Sequence, residues 1–213
     1  MPDIQTMPDA PPPPERFCRM CGWDGDTFWE DGWPTSAICD CCGSEAGIGD
    51  MGAEPGSWGG VRGLHDFRGW WIGHGAQWWR PRSKPQDWDV LQQVMNIPAP
   101  WRTPPPPAAD REQRVLERAV SGSLGTETVC RICGLTGPSF WRDGMPTETL
   151  CPSCGSQSGI DDLGHPADEE TMRAIRTRRG YWVALAAPWS DPAARPAGWD
   201  VLEQLGAIPS AWR

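Results

Sequence analysis

Hydrophobic and polar positions along the chain repeat the same three patterns twice. The first is a short apolar run broken by a turn signal. "TFWEDGWPTSAI" (27–38) and "PSFWRDGMPTETL" (138–150) each place an aromatic pair before Asp-Gly, with proline two residues beyond the glycine. Such a run predicts short antiparallel strands joined by a tight turn. The second is a helical stripe. In "ADEETMRAIRTRRGYWVALAA" (167–187), Met172, Ile175, Tyr181, Trp182 and Leu185 lie near one face, with Gly180 as a weak point. Acidic residues precede basic ones there, the order that suits the helix dipole. The counterpart "SWGGVRGLHDFRGWWIGHG" (57–75) is rich in glycine and predicts a shorter or frayed helix. The third is a short amphipathic helix after a proline-containing turn. Trp88, Leu91 and Val94 in one copy match Trp199, Leu202 and Leu205 in the other.

These patterns belong to a tandem duplication. Cys18, Cys21, Cys39 and Cys42 recur 112 residues later as Cys130, Cys133, Cys151 and Cys154. One residue is lost between about Gly52 and Arg68, after which "RGWW" at 68–71 aligns with "RGYW" at 179–182 at a displacement of 111. Two copies are too few for a solenoid, so two homologous domains are expected. The division is a Pro-rich, disordered tail over 1–15, a first repeat over 16–102, a Pro-rich linker with a short helix over 103–127, and a second repeat over 128–213. The repeats present related apolar surface and are expected to pack as a pseudo-dimer.

Both cysteine sets read C-x2-C-x17-C-x2-C, and a glycine follows the second cysteine of every pair. A C-x2-C turn aims two sulfurs at one point, and two turns supply four soft ligands in tetrahedral array, the donor set of structural zinc. Iron–sulfur spacings are tighter, and a thioredoxin-like redox pair would need a βαβ context that is missing. Four protein ligands leave no position for water, which argues against catalytic zinc. The fold class expected is therefore small α+β and metal-stabilised: two tandem zinc-ribbon domains, each a four-cysteine knuckle hairpin followed by one or two short helices, holding two structural Zn²⁺ in all. Cys41 falls opposite Ser153, so it is read as a bystander thiol rather than a ligand.

Composition narrows the function classes. The chain has 213 residues, a formal net charge of −9, nine Cys and fifteen Trp. The acidic total suits a basic protein partner better than a phosphate backbone. No basic and apolar leader opens the chain and no run is long enough for a membrane span, so a cytoplasmic protein is expected. Trp29, Trp71, Trp88 and Trp101, with Trp141, Trp182, Trp199 and Trp212, occupy matched positions and are assigned to packing. Trp23, Trp33, Trp58, Trp70 and Trp79 have no tryptophan counterpart and form a candidate partner surface. Arg173, Arg176, Arg178 and Arg179 form a second candidate surface, suited to phosphate.

No catalytic constellation emerges. His65, His74 and His165 do not repeat and are read as lone surface histidines. Asp50 and Asp162 are read as turn or cap residues, and P-loop, nucleophile-elbow and Rossmann glycine patterns are missing.

The segments "ICDCCGSEAGIGD" and "LCPSCGSQSGIDD", followed by an R-G-aromatic-Trp segment and a terminal "WDVLEQL", resemble the cysteine-rich CPCC-type proteins of bacteria. The likeness covers nearly all of both repeats, with "CDCC" and "CPSC" in place of CPCC. It implies zinc and a ribbon fold but supplies no activity. The expected function is a non-enzymatic zinc-binding interaction module that binds or neutralises a basic protein, immunity-like or regulatory. The alternative is a nucleic-acid-binding or transcription-associated zinc ribbon.

Overall fold

The structure, a computed structural model, describes residues 12–104 and 125–213. The expected linker helix and most of the Pro-rich tail lie outside the described residues. The rest is a small α+β molecule with two three-stranded antiparallel sheets and, among the described residues, four α-helices.

In the first repeat, β1 (Glu15–Phe17) leads into the first cysteine pair. Strands β2 (Asp24–Glu30) and β3 (Trp33–Pro34) then form the hairpin, and the second pair follows. Glu15 lies opposite Trp29 and Glu30 opposite Trp33. The hairpin turn is Asp31-Gly32, with φ of 52° and 81°. Positive φ at both central residues makes a type I′ turn, whose twist matches that of the strands it joins. The second repeat copies this with β4 (Thr126–Val129), β5 (Thr136–Arg142) and β6 (Met145–Pro146). Strand pairing thus moves the repeat boundaries: Glu15 belongs to the first sheet rather than to the tail, and Thr126 and Glu127 belong to the second rather than to the linker.

Helix α1 (Trp58–Gly73) is as long as its counterpart α3 (Glu169–Ala184), sixteen residues each, which corrects the expectation of a shorter or frayed first helix. Capping and tertiary contact override propensity here. Ser57 caps α1, accepting from the Gly60 amide, and Asp168 caps α3, accepting from the Thr171 amide. Gly69 and Gly180, far from being weak points, are where the two helices cross. A Cβ on Gly69 would overlap the Arg176 carbonyl oxygen, and one on Gly180 would overlap the His65 carbonyl oxygen. His65 and Arg176 are themselves repeat counterparts, so the crossing is an approximate two-fold: each glycine seats on the partner position of the other helix.

Each repeat ends with a 3-10 turn, a short helix and a final 3-10 turn. The short helices are α2 (Val90–Val94) and α4 (Val201–Gly206), capped by Asp89 and Asp200. A single cluster of buried side chains, including Val61, Leu64, Ile72, Ile175 and Val183, runs through both repeats. The pseudo-dimer is thus one packed body with a shared core. No helix among the described residues is long and apolar enough to cross a membrane.

Candidate metal centres

The first knuckle begins where β1 ends. The chain turns through Cys18-Arg19-Met20-Cys21, and the Gly22 amide donates to the Cys18 carbonyl at 2.8 Å. Gly22 sits at φ 78°, a conformation that costs an L-residue a clash between Cβ and backbone. The second knuckle closes in the same way, with the Gly43 amide donating to the Cys39 carbonyl at 2.8 Å and an Ile38–Glu45 bridge across its base. Together the turns bring Cys18, Cys21, Cys39 and Cys42 to within 4.8 Å of one another at sulfur. The second repeat does the same with Cys130, Cys133, Cys151 and Cys154.

The distances fit a tetrahedral ion. The Cys18–Cys42 and Cys21–Cys39 sulfurs are 3.7 and 3.6 Å apart, as are the corresponding pairs of the second repeat. Tetrahedral metal–sulfur bonds of about 2.3 Å would set sulfurs about 3.8 Å apart. All nine cysteines are free of disulfide bonds. The two four-cysteine groups could therefore bind two metal ions. Burial pushes the Cys21, Cys42 and Cys133 thiols up, and neighbouring sulfurs push Cys130 up. Hydrogen bonds from those neighbours hold Cys39 and Cys151 far down. Thiols must lose their protons to ligate an ion, so metal binding here would release protons.

Three devices, present in both repeats, hold each centre. The first is a buried arginine from the crossing helix. Arg68 donates to the Met20 and Arg19 carbonyls at 2.6 and 2.9 Å, and across the two-fold to the Gly180 carbonyl at 3.4 Å. Arg179 donates to the Ile132 and Arg131 carbonyls at 2.8 and 3.0 Å, to the Trp212 carbonyl, and to the Gly69 carbonyl at 3.2 Å. Both are fully buried. Burial lowers each to about 10 while the nearby cysteines pull it back up, so both remain cationic at neutral pH. A four-thiolate site on a divalent ion would carry about −2, and the one guanidinium beneath each centre would offset part of that charge.

The second device is a tryptophan sandwich. Arg19 lies between Trp29 and Trp101 at 3.7 and 4.0 Å, and Arg131 between Trp141 and Trp212 at 3.9 and 4.1 Å. Asp50 accepts from Trp29 Nε1, the Gly47 amide and Arg19. Asp162 accepts from Trp141 Nε1 and the Gly159 amide, and burial pushes its carboxyl up to about 6. The turn role expected for these aspartates is correct but incomplete. They also tie the strand to the knuckle.

The third is a Trp–Gln strut. Trp88 Nε1 donates to Gln93 Oε1 at 2.7 Å, and Gln93 Nε2 donates to the Cys21 carbonyl at 2.9 Å and to Cys41 Sγ at 3.3 Å. Trp199 and Gln204 reproduce it, with Ser153 Oγ in place of Cys41 Sγ. Cys41 is fully buried and joins one knuckle to α2 rather than standing by as a loose thiol.

The candidate partner residues divide. Trp33, Trp70 and Trp79 are exposed at 76%, 43% and 63%. Trp23 and Trp58 are half-buried, packed edge-on to Trp78 and stacked on His65 respectively. The arginine surface is not formed. Arg179 is buried beneath the second centre, because the stripe that carries Ile175 and Trp182 inward carries Arg179 with it. Arg176 pairs with Asp66 at 2.8 Å, Arg178 with Asp161 at 2.8 Å, and Arg173 approaches both Asp66 and Glu169. The surface placement expected of His65 is also corrected. His65 is fully buried at the helix crossing, with Nδ1 2.7 Å from Arg68 Nη1 and its ring 5.7 Å from Tyr181. Burial, then the Arg68 charge, lowers it to about 3. Sequence reasoning misses Arg68 and Arg179 as parts of the centres, although the matched "RG" before each aromatic pair marks them. Compared with protein-family models, with curated proteins and with solved structures, the chain matches none.

Proposed function

We propose that the chain is a non-enzymatic interaction module of the tandem zinc-ribbon type. Its two structural Zn²⁺ ions would rigidify a surface that binds a basic protein partner. Zinc is the ion favoured by four thiolates in a closed tetrahedral set without redox demand. With every ligand supplied by protein, neither centre offers a position for water or substrate. The observation that carries the partner reading is an asymmetry. Trp33, Trp70 and Trp79 stand exposed in the first repeat, where the second has Met145, Tyr181 and Ser190. Large exposed aromatics are the residues that dominate protein interfaces when desolvated. The net charge of −9 selects for a basic partner.

The nucleic-acid reading is weaker, because the arginines it would use are paired with Asp66 and Asp161 or buried. Two measurements test the proposal. Captured proteins from the native host, identified by mass spectrometry, should include a basic protein whose binding drops at least about tenfold in a Trp33→Ala, Trp79→Ala double variant with unchanged metal content. A low-salt gel shift with DNA and RNA should show no complex. A complex abolished by Arg178→Glu in a folded protein would overturn the protein-partner reading.

A further inference from the structure

The outer flank of the second centre is open. A cleft of about 270 Å³ lies between α3 and the second knuckle, walled by Tyr181, Trp182 and Trp189 and bounded by Cys154, Gly155 and Ser190. In the first repeat the backbone at this place is the same. The Trp79 amide donates to the Cys41 carbonyl at 2.8 Å, and the Ser190 amide donates to the Ser153 carbonyl at 2.8 Å. The side chain differs there, Trp79 against Ser190, and so does part of the lining around it: Phe67, Trp70, His74 and Gln77 stand where the second repeat has Arg178, Tyr181, Leu185 and Pro188. A Cβ on Gly43 would meet the ring of Trp79 at 3.1 Å, so an indole lies over that knuckle. A Cβ on Gly155 would meet only the hydroxymethyl group of Ser190, at 3.2 Å. The metal-ligand flank changes accordingly, with Cys42 8% exposed and Cys154 half-buried.

From this difference we infer that the cleft is a docking site for one flat aromatic side chain, an indole above all, presented by a segment of a partner protein. The partner supplies to the second repeat what Trp79 supplies to the first from within its own chain. Size supports a single side chain: the cleft is smaller than the usual range of roughly 300–1,000 Å³ for small-molecule pockets. Chemistry supports an aromatic one. Three aromatic walls offer edge and face contacts to an entering ring, and the serine hydroxyls of Ser156 and Ser190 can accept from an indole N–H. Arg178 lines the same cleft with its charge held by Asp161 at 2.8 Å. Arg178 and Asp161 neutralise each other at this edge of the cleft, so the pair selects for neither a cation nor an anion. The inference rests on the lining of the cleft itself and not on the role of the exposed tryptophans of the first repeat.

The probe is N-acetyl-tryptophanamide, titrated into the full metal-loaded chain and followed by amide NMR. Saturable shifts are expected at Gly155, Tyr181, Leu185 and Ser190. Ser190→Trp, which places the first repeat's indole at this exposed position, should weaken binding by roughly tenfold or more, whereas Ser190→Ala should leave it. N-acetyl-lysinamide should produce no shift. The inference fails if the unaltered protein shows no shift at these residues up to the probe's solubility, a result independent of how any variant folds. It also fails if Ser190→Trp binds as well as the parent, or if the lysine probe binds equally. Pocket resonances that move with protein concentration alone, and stop moving in Trp33→Ala, would assign the cleft to a second copy and overturn the partner-supplied ring.

Discussion

The two cysteine centres are alike on the inside and different on the outside. Around the sulfurs three supports repeat: the buried Arg68 or Arg179, the Arg19 or Arg131 sandwich, and the Gln93 or Gln204 strut. Further out the copies part. Trp79 lies over Gly43, whereas Ser190 leaves the flank of Cys154 open. Residues that neutralise and aim the thiolates have nowhere to go without unpairing a buried charge. Residues on the outer flank face water and can be exchanged at little cost in stability. A duplicated scaffold can therefore keep one arrangement of its four cysteines while its two outer flanks diverge.

The largest effect expected from breaking this comparison comes from removing a ligand. Cys42→Ser and Cys154→Ser should each reduce bound metal from two ions per chain to one by elemental analysis. Each should also unfold the affected knuckle, since metal binding in such small sites is worth roughly 10–16 kcal/mol of folding free energy. The intact protein should release its two ions to a chelator in two phases, with the second centre first because Cys154 is half-buried and lines the open cleft. Release in a single phase at equal rates would show that the open flank makes no difference.

Next in size is the two-fold crossing. Gly69→Ala and Gly180→Ala should each destabilise by about 1–3 kcal/mol in denaturant unfolding, because the added methyl drives into a carbonyl oxygen of the other helix. If the helices did not cross there, alanine would instead stabilise an exposed helix by up to about 1 kcal/mol. The sign of the change decides, and the near-equality of the two effects tests the symmetry.

This crossing also marks where sequence reading runs out. The cysteine sets, the repeat, the Asp-Gly hairpins and the long helix of the second repeat are legible because each depends on residues close in sequence or on the spacing of one residue type. The crossing is not, because a glycine that weakens an isolated helix looks the same as one that admits a second helix. Arg179 escapes for a related reason. A charged stripe on a helix normally faces water, and the burial of Arg179 is explained by carbonyls distant in sequence, those of Arg131, Ile132, Gly69 and Trp212. His65 reads as a surface residue because its partners, Arg68, Trp58 and Tyr181, meet only in the fold.

His65 gives a smaller and asymmetric effect, since Arg176 takes its place in the other half. Its folded value of about 3 lies below the ordinary 6.5, so the folded protein keeps it neutral where the unfolded chain protonates. The unfolded state then binds more protons between those values, and stability from this group is lost as pH falls from about 6.5 toward 3. Acid also strips thiolates of metal, so the direct measurement is the His65 ring by NMR. Its resonances should stay flat as pH falls from neutral through the ordinary histidine range, and a titration near 6.5 would mean that the crossing is open to water.

The smallest expected effect concerns Cys41, where the two centres differ inside the strut by one atom type. Gln93 Nε2 meets Cys41 Sγ at 3.3 Å, and Gln204 Nε2 meets Ser153 Oγ at 3.1 Å. A hydroxyl accepts an amide hydrogen bond better than a thiol does, but sulfur fills more of a dry site. These effects oppose, so Cys41→Ser should change unfolding free energy by less than about 1 kcal/mol and leave two metal ions per chain. Were Cys41→Ser to cost an ion, Cys41 would be a fifth ligand-competent sulfur that exchanges with Cys42. The equivalence of the two centres at the metal itself would then be broken, not only at their outer flanks.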